Sequence, residues 1–488
     1  MSTKQKAAPL QALYEEVRTL YLADKRPWVL GFSGGKDSTC ALQVVWTALA
    51  GLPSEQRAKP VYVISSDTLV ETPVIVNYID GTLARIEQRA IAKDMPFRTH
   101  KVMPRVDRSF WVNMIGRGYP APSTKFRWCT ERLKIEPANE FILDRVAEFG
   151  EVIVVLGVRS AESTTRAQVM SLHRIKESRL SRHSSLSNAF VYAPIEALST
   201  DDVWSYLLQN ESPWGNDNRD LVAMYRNAQA GECPLVVDKT TPSCGNSRFG
   251  CWVCTVVTKD KAMEAMIDSG QDWMEPLLEY RDMLAATQVP ARKKEVRDYR
   301  RRTGQISFKK DSDQLIRGPY TLAFCRELLE KLLRTQLETQ KNAPPGEASQ
   351  LIHEAELHAI RQIWRQERGD WEDSVPKIVR DVLGRDLDWV IDDAASFTDE
   401  DGMLLDAICK QNDVPTDLIV RLLDVERSTQ GMKRRHAIHT RIEDLMNEEW
   451  RSQDEVIASR RVLLGKQGIN FDAGESLETI ESEEDIEN

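Results

Sequence analysis

No apolar run in this sequence approaches the ~20 residues that a membrane-spanning helix needs, so no transmembrane segment and no membrane partner are expected. The opening residues Met1 to Lys6 are not followed by an apolar stretch, which argues against a secretory signal and for a cytoplasmic protein. A basic surplus is also missing: 65 Lys and Arg stand against 75 Asp and Glu, a net charge of −10. Neutralising phosphates supplies most non-specific affinity for nucleic acid, so this balance argues against strong autonomous binding to bulk nucleic acid, although it does not exclude a local basic groove. No internal repeat is visible, and no histidine lies near the cysteines at the middle of the chain. What is present is 488 residues, too many for one compact core, with 41% hydrophobic residues to fill two or three.

The most informative segment is Ser33-Gly34-Gly35-Lys36-Asp37-Ser38, directly after the apolar run Trp28 to Phe32. A buried strand, a glycine turn and a helix start make a phosphate cradle. Backbone N–H groups approach the anion closely, and the helix N-terminus adds partial positive charge. Lys36 adds a full one. A Walker A loop is excluded, because Asp37 stands where that motif needs a magnesium-binding hydroxyl.

Around this turn, short apolar strands alternate with helix-length segments. Strands are expected at 61–66, 97–102 and 152–157, and helices at 8–24, 72–91 and 131–148. The pattern predicts an α/β fold, a parallel sheet with helices on both faces, whose ligands sit beyond the strand carboxyl ends. Ser199 to Asp202 reads as a helix cap, and 209–250 as mostly loop. The pattern turns helical and charged after about 260. Three segments are expected: 1–260 with the phosphate turn and the cysteines, a mainly helical 261–471, and an acidic, disordered tail at 472–488.

Two further segments carry candidate site residues. After the strand ending at Gly157 come Arg159, Glu162 and Arg166, a set suited to clamping phosphate or sulfate because the guanidinium fork is bidentate and always charged. Asp67, at the end of the second strand, is a candidate to hold magnesium or a nucleotide group, or simply to cap a helix. The basic run from Arg292 to Lys310, with Tyr299 and Phe308 interleaved, is either a DNA-backbone surface or a solvated helix face.

Cys244, Cys251 and Cys254 lie within eleven residues, and Cys129 is the leading fourth sulfur. Disulfides are not expected in a reducing compartment. A [4Fe–4S] cluster on these four is the first reading, with structural zinc or a persulfide-forming dithiol as alternatives. Cys233 is a weaker ligand candidate. Cys40, Cys325 and Cys409 read as structural.

Ser-Gly-Gly-Lys-Asp-Ser resembles the PP-loop of ATP pyrophosphatases. Cys129, Lys134 and Pro137 resemble part of the cysteine motif of the adenylylsulfate and phosphoadenylylsulfate reductase group, but Thr130 stands where that group has a second cysteine. Asp67-Thr68-Leu69 and Glu71-Thr72 are similar to another of its segments, with Leu69 replacing a glycine. Gly157 to Ser163 is similar to the arginine-bearing motif of PP-loop sulfur enzymes. Together with Arg248 to Val257 and Arg317 to Thr321, the closest resemblance is to the DndC-type sulfurtransferases of bacterial DNA phosphorothioation. That resemblance implies ATP with Mg2+ held by the PP-loop residues, cleavage to AMP and pyrophosphate with Lys36, Asp37 and Arg159 as catalytic groups, and Asp67, Glu162 and Arg166 on the nucleotide. It also implies a cysteine desulfurase as sulfur donor, DNA as substrate and other proteins of the system as partners. A reductase-like oxidoreductase and a tRNA thiolase are the alternatives. The reductase reading expects a cysteine in the final residues, and Ile480 to Asn488 contain none. A nucleotide-gated scaffold is a further alternative of another class.

Overall fold

The computed structural model describes residues 3–162, 172–175, 178–228, 250–347, 350–389, 398–429 and 436–466. The chain divides into two compact units. The first comprises Met1–Arg105, Trp128–Leu278 and Asn342–Ser349; the second comprises Val106–Arg127, Glu279–Lys341 and Gln350–Asn488. The division expected near 260 therefore falls at 278/279, and a 22-residue excursion at 106–127 joins the second unit as well. Its reason is visible in the packing of that unit, where the Trp111 indole donates to the Leu351 carbonyl at 2.7 Å and the Trp364 indole to the Ile115 carbonyl at 2.9 Å.

The first unit is built on a six-stranded sheet in the order β3-β2-β1-β4-β6-β5. The strands are β1 (Trp28–Gly31), β2 (Val61–Ser66), β3 (Phe97–Val102), β4 (Val152–Val155), β5 (Ser181–Arg182) and β6 (Ala189–Tyr192). All neighbouring pairs are parallel except β5 with β6 at the edge. β1 and β4 are buried along their whole length, as continuous apolar strands of a covered parallel sheet should be. Side chains alternate between two cores: Trp28, Leu30, Val61 and Val63 face α2 (Lys36–Ala50), while Val29, Tyr62, Val152 and Val154 face the helix Glu136–Phe149. The fold is thus the mostly parallel α/β sheet that the strand pattern predicts. The antiparallel edge strand β5 was not expected.

The second unit is helical apart from the hairpin Ser307–Phe308 with Leu315–Ile316. Its core is made by the helices Leu322–Asn342 and Glu354–Glu367 with Trp111 and Tyr280. Arg317 to Thr321 acts there as an anchor. Arg297 donates to the Arg317 and Gly318 carbonyls, and Tyr320 shares a hydrogen bond with Thr287 at 2.6 Å. No helix among the described residues is long and apolar enough to cross a membrane. The acidic tail 472–488 lies outside the described residues.

Candidate phosphate and sulfur site

The chain leaves β1 with the Phe32 N–H still bonded to the Ile64 carbonyl at 2.8 Å, then turns through Ser33 to Gly35 into α2. Gly34 has φ +73°, the left-handed region open to glycine. Gly35 is the N-cap and supplies no side-chain cap. Ser38 closes the turn instead, its hydroxyl accepting from the Ser33 N–H at 3.2 Å and donating to the Gly35 carbonyl at 3.0 Å.

Three charges meet at this helix start. Asp37 accepts from Lys36 Nζ at 2.8 Å on one oxygen and from Arg159 Nε at 2.6 Å on the other. All three side chains are nearly buried. Two cations share one carboxylate at the positive end of a helix dipole. Arg159 also donates to Thr200 Oγ1 at 3.1 Å, from the first turn of the helix Thr200–Gln209 whose capping box at Ser199 was read from the sequence. Gly157 makes the approach possible: a Cβ there would stand 2.6 Å from the Asp37 carbonyl oxygen.

Sequence reading missed one contact at the turn. The Lys36 N–H donates to the Tyr225 hydroxyl at 3.1 Å. Tyr225 belongs to the helix Asn218–Ala228, inside a stretch expected to be mostly loop. Within that stretch 218–228 is helical, and its apolar positions Leu221, Val222, Met224 and Tyr225 were hidden among polar residues.

Asp67 sits at the end of β2, as predicted, but its carboxylate is held by Lys101 Nζ at 2.7 Å and by the Leu69 N–H at 2.9 Å. Burial pulls the Lys101 ammonium pKa down, yet its hydrogen bonds to Asp67 and Asp80 outweigh that and raise it. Leu69, in the glycine position of the motif, has φ +63°. Glu162 ends the short 3-10 turn Ser160–Glu162. Arg166 lies outside the described residues, as do Cys233 and Cys244.

Cys129, Cys251 and Cys254 belong to the first unit. Cys251 docks on the loop after β2: the Trp252 N–H donates to the Val70 carbonyl at 3.0 Å and the Thr72 N–H to the Gly250 carbonyl at 3.1 Å. Its sulfur lies 3.3 Å from Thr68 Oγ1 and 3.7 Å from Glu71 Oε1. Glu71 in turn meets Lys134 Nζ at 3.6 Å, on the π-helical stretch Glu131–Ile135 that follows Cys129. Lys134 and Glu71 thereby link the two cysteine-bearing segments. Desolvation, followed by the Cys254 charge, pushes the Cys129 thiol up to about 11. Desolvation and then the Glu71 carboxylate also push the Cys251 thiol up. Cys254 acts electrically on both. Among the described residues, no three His, Cys, Asp or Glu side chains close on a single metal position. A set of thiolates is the donor chemistry of iron–sulfur clusters and of structural zinc alike. Cys40 is fully buried, and burial, then Asp37, raises its thiol, which matches a structural cysteine.

The basic run at 292–310 is engaged within the second unit. Arg292 pairs with Glu295 at 2.5 Å, Arg300 with Asp417 at 3.1 Å, and Arg302 donates to the Tyr119 hydroxyl at 2.6 Å. Arg297 and Arg301 are buried. The solvated-face reading therefore describes only part of it, since several of its arginines hold the unit together.

Residues 27–256 match the family model described as the phosphoadenosine phosphosulfate reductase domain. An uncharacterized protein of Methanocaldococcus jannaschii is 27% identical over 203 residues, 41% of this chain and 35% of the relative. The match thus spans about a third of that relative's length. Among solved structures, phosphoadenylyl-sulfate reductase from Candida auris in a phosphate complex is 17% identical, with TM-score 0.28, over 46% of this chain and 93% of that one. A U34-tRNA thiolase from Methanococcus maripaludis with its [4Fe–4S] cluster is 11% identical, with TM-score 0.27, over 59% of this chain and 80% of that one.

Proposed function

We propose that this chain is an ATP-dependent sulfurtransferase of DNA backbone phosphorothioation, of the DndC type, acting in the cytoplasm with a cysteine desulfurase and other proteins of that system. The observation that carries the nucleotide half is the buried Lys36–Asp37–Arg159 cluster at the start of α2, directly after the glycine turn. Lys36 and the turn N–H groups hold the β,γ-phosphates of ATP. Arg159 and Lys36 stabilise the negative charge that gathers on pyrophosphate as it leaves. Asp37 keeps both cations aimed, and Glu162 and Arg166 complete the nucleotide contacts from the same loop.

Mg2+ fits best on the phosphates themselves, because both oxygens of Asp37 already face cations and Asp67 is held by Lys101. A non-bridging oxygen of the DNA phosphodiester attacks the α-phosphorus and is adenylated. A sulfur nucleophile then displaces it, and AMP departs with that oxygen. Cys129, Cys244, Cys251 and Cys254 would hold a [4Fe–4S] cluster, which when bound would supply an iron open to sulfur only where one of the four thiolates leaves it. Thr68, Glu71 and Lys134 orient Cys251 beside it.

The test is mass spectrometry of fully digested DNA and RNA from the native host, with the gene intact, deleted, or carrying Lys36→Ala. Sulfur-containing dinucleotides should disappear from DNA alone in the deletion and in the variant. A thionucleoside lost from RNA instead would replace this reading with a tRNA thiolase.

A further inference from the structure

The first N–H of α2 is satisfied from very far away. Helix starts are usually capped by a Ser, Thr, Asp or Asn of their own turn. Here the N-cap is Gly35, and the group that meets the Lys36 N–H is the hydroxyl of Tyr225, 189 residues along the chain. The contact is close on every side. A Cβ on Gly35 would stand 3.1 Å from the same hydroxyl oxygen, and Lys36 Nζ lies 6.0 Å from the centre of the tyrosine ring. An oxygen thus occupies the spot where the turn, the helix dipole and Lys36 converge.

We infer that Tyr225 is a specificity-determining placeholder: its hydroxyl holds the position of a phosphate oxygen, and only an anion displaces it. This rests on the phosphate reading of the turn given above. A phosphate oxygen carries charge and makes the stronger bond to an N–H beside a lysine, so it outcompetes a neutral phenol. A neutral ligand lacks that advantage and leaves the hydroxyl in place.

The surroundings suit such a movement. The start of the Tyr225 helix is pinned, because the Asn218 side chain donates to the Leu207 carbonyl at 2.8 Å and the Asn210 carbonyl at 3.1 Å and accepts from Gln43 at 3.0 Å. Tyr225 lies two turns further on, with its ring edge-on to Trp204 at 5.2 Å. The helix start is thus held independently of the contact that Tyr225 makes with the turn.

Calorimetric titration of inorganic pyrophosphate into the full-length protein, wild type against Tyr225→Phe, tests this. Removing the competing hydroxyl should tighten pyrophosphate binding by about fivefold, the equivalent of one neutral hydrogen bond. A merely structural role for Tyr225 gives the opposite sign, because a damaged site binds more weakly. Affinity unchanged or weaker in the variant, with normal binding by the wild type, overturns the inference alone. No binding by the wild type overturns the phosphate reading with it. Should Tyr225→Phe fail to fold, Tyr225→Leu removes the same hydroxyl and is judged by the same sign.

Discussion

Arg159 and Arg297 are both almost entirely buried, one in each unit, and they use the same guanidinium differently. Arg159 gives its Nε to a carboxylate that already has Lys36, at the N-terminus of α2. Arg297 gives its donors to the main-chain carbonyls of Arg317 and Gly318, where the charge fixes a bend of the chain. Burial alone does not tell the two arginines apart. Their partners do: charged side chains beside a helix start in one case, main-chain carbonyls in the other.

The largest expected effect lies on the structural side of this comparison. A Cβ at Gly318 would stand 1.7 Å from the Arg300 carbonyl oxygen, and main chain cannot yield as a flexible side chain does. Gly318→Ala should cost about 3 kcal/mol or more. Thermal unfolding would show it as a lowered transition, while the variant that still folds in the cold keeps its affinity for pyrophosphate.

The two arginines then separate by readout. Arg297→Met should lower stability by roughly 2–4 kcal/mol, since it strands two carbonyls, and leave pyrophosphate affinity alone. Arg159→Met should weaken pyrophosphate binding about a hundredfold and shift the melting temperature only a little, because Asp37 keeps Lys36. Chemical denaturation and calorimetry on both variants decide it. Exchanged phenotypes would break the comparison.

The smallest effect concerns Cys40, in the first turns of α2. Its thiol is raised above the ordinary value of 9.0 by burial and then by Asp37, so it should resist iodoacetamide at pH 8 in the folded protein. A folded pKa above the unfolded one means that its contribution to stability is complete below pH 9.0 and is lost as the solution becomes more alkaline. Cys40→Ala should flatten that alkaline decline, measured as midpoint denaturant concentration against pH.

The phosphate turn was legible because its cause is local: an apolar strand, two glycines and a lysine are consecutive, and nothing distant is needed to read them. β1 to β4 were legible for the same reason, being short apolar runs between helical ones. Tyr225 was not, because its function depends on a helix folding back onto residue 36, and Asn218 to Ala228 carries too many polar residues to announce that fold. The commitments of Arg297, Arg300 and Arg302 were hidden too, since composition gives a charge but not the direction in which the side chain points. Leu69 shows a third kind of gap. The left-handed backbone persists although the glycine that usually permits it has been replaced, so the turn is set by its neighbours, at a strain of about 1–2 kcal/mol.

The close fit of Gly157 against Asp37 also orders events in time. These residues are 120 positions apart, and β1 pairs with β4 on one side and β2 on the other. A chain emerging from the ribosome can pair β1 with β2 early, but β1 keeps an open edge until β4 arrives. Contacts between such distant residues form slowly. The packing of Gly157 against Asp37 is therefore a late product of synthesis, and a fragment ending before β4 should contain the glycine turn without the Asp37–Arg159 pair beside it.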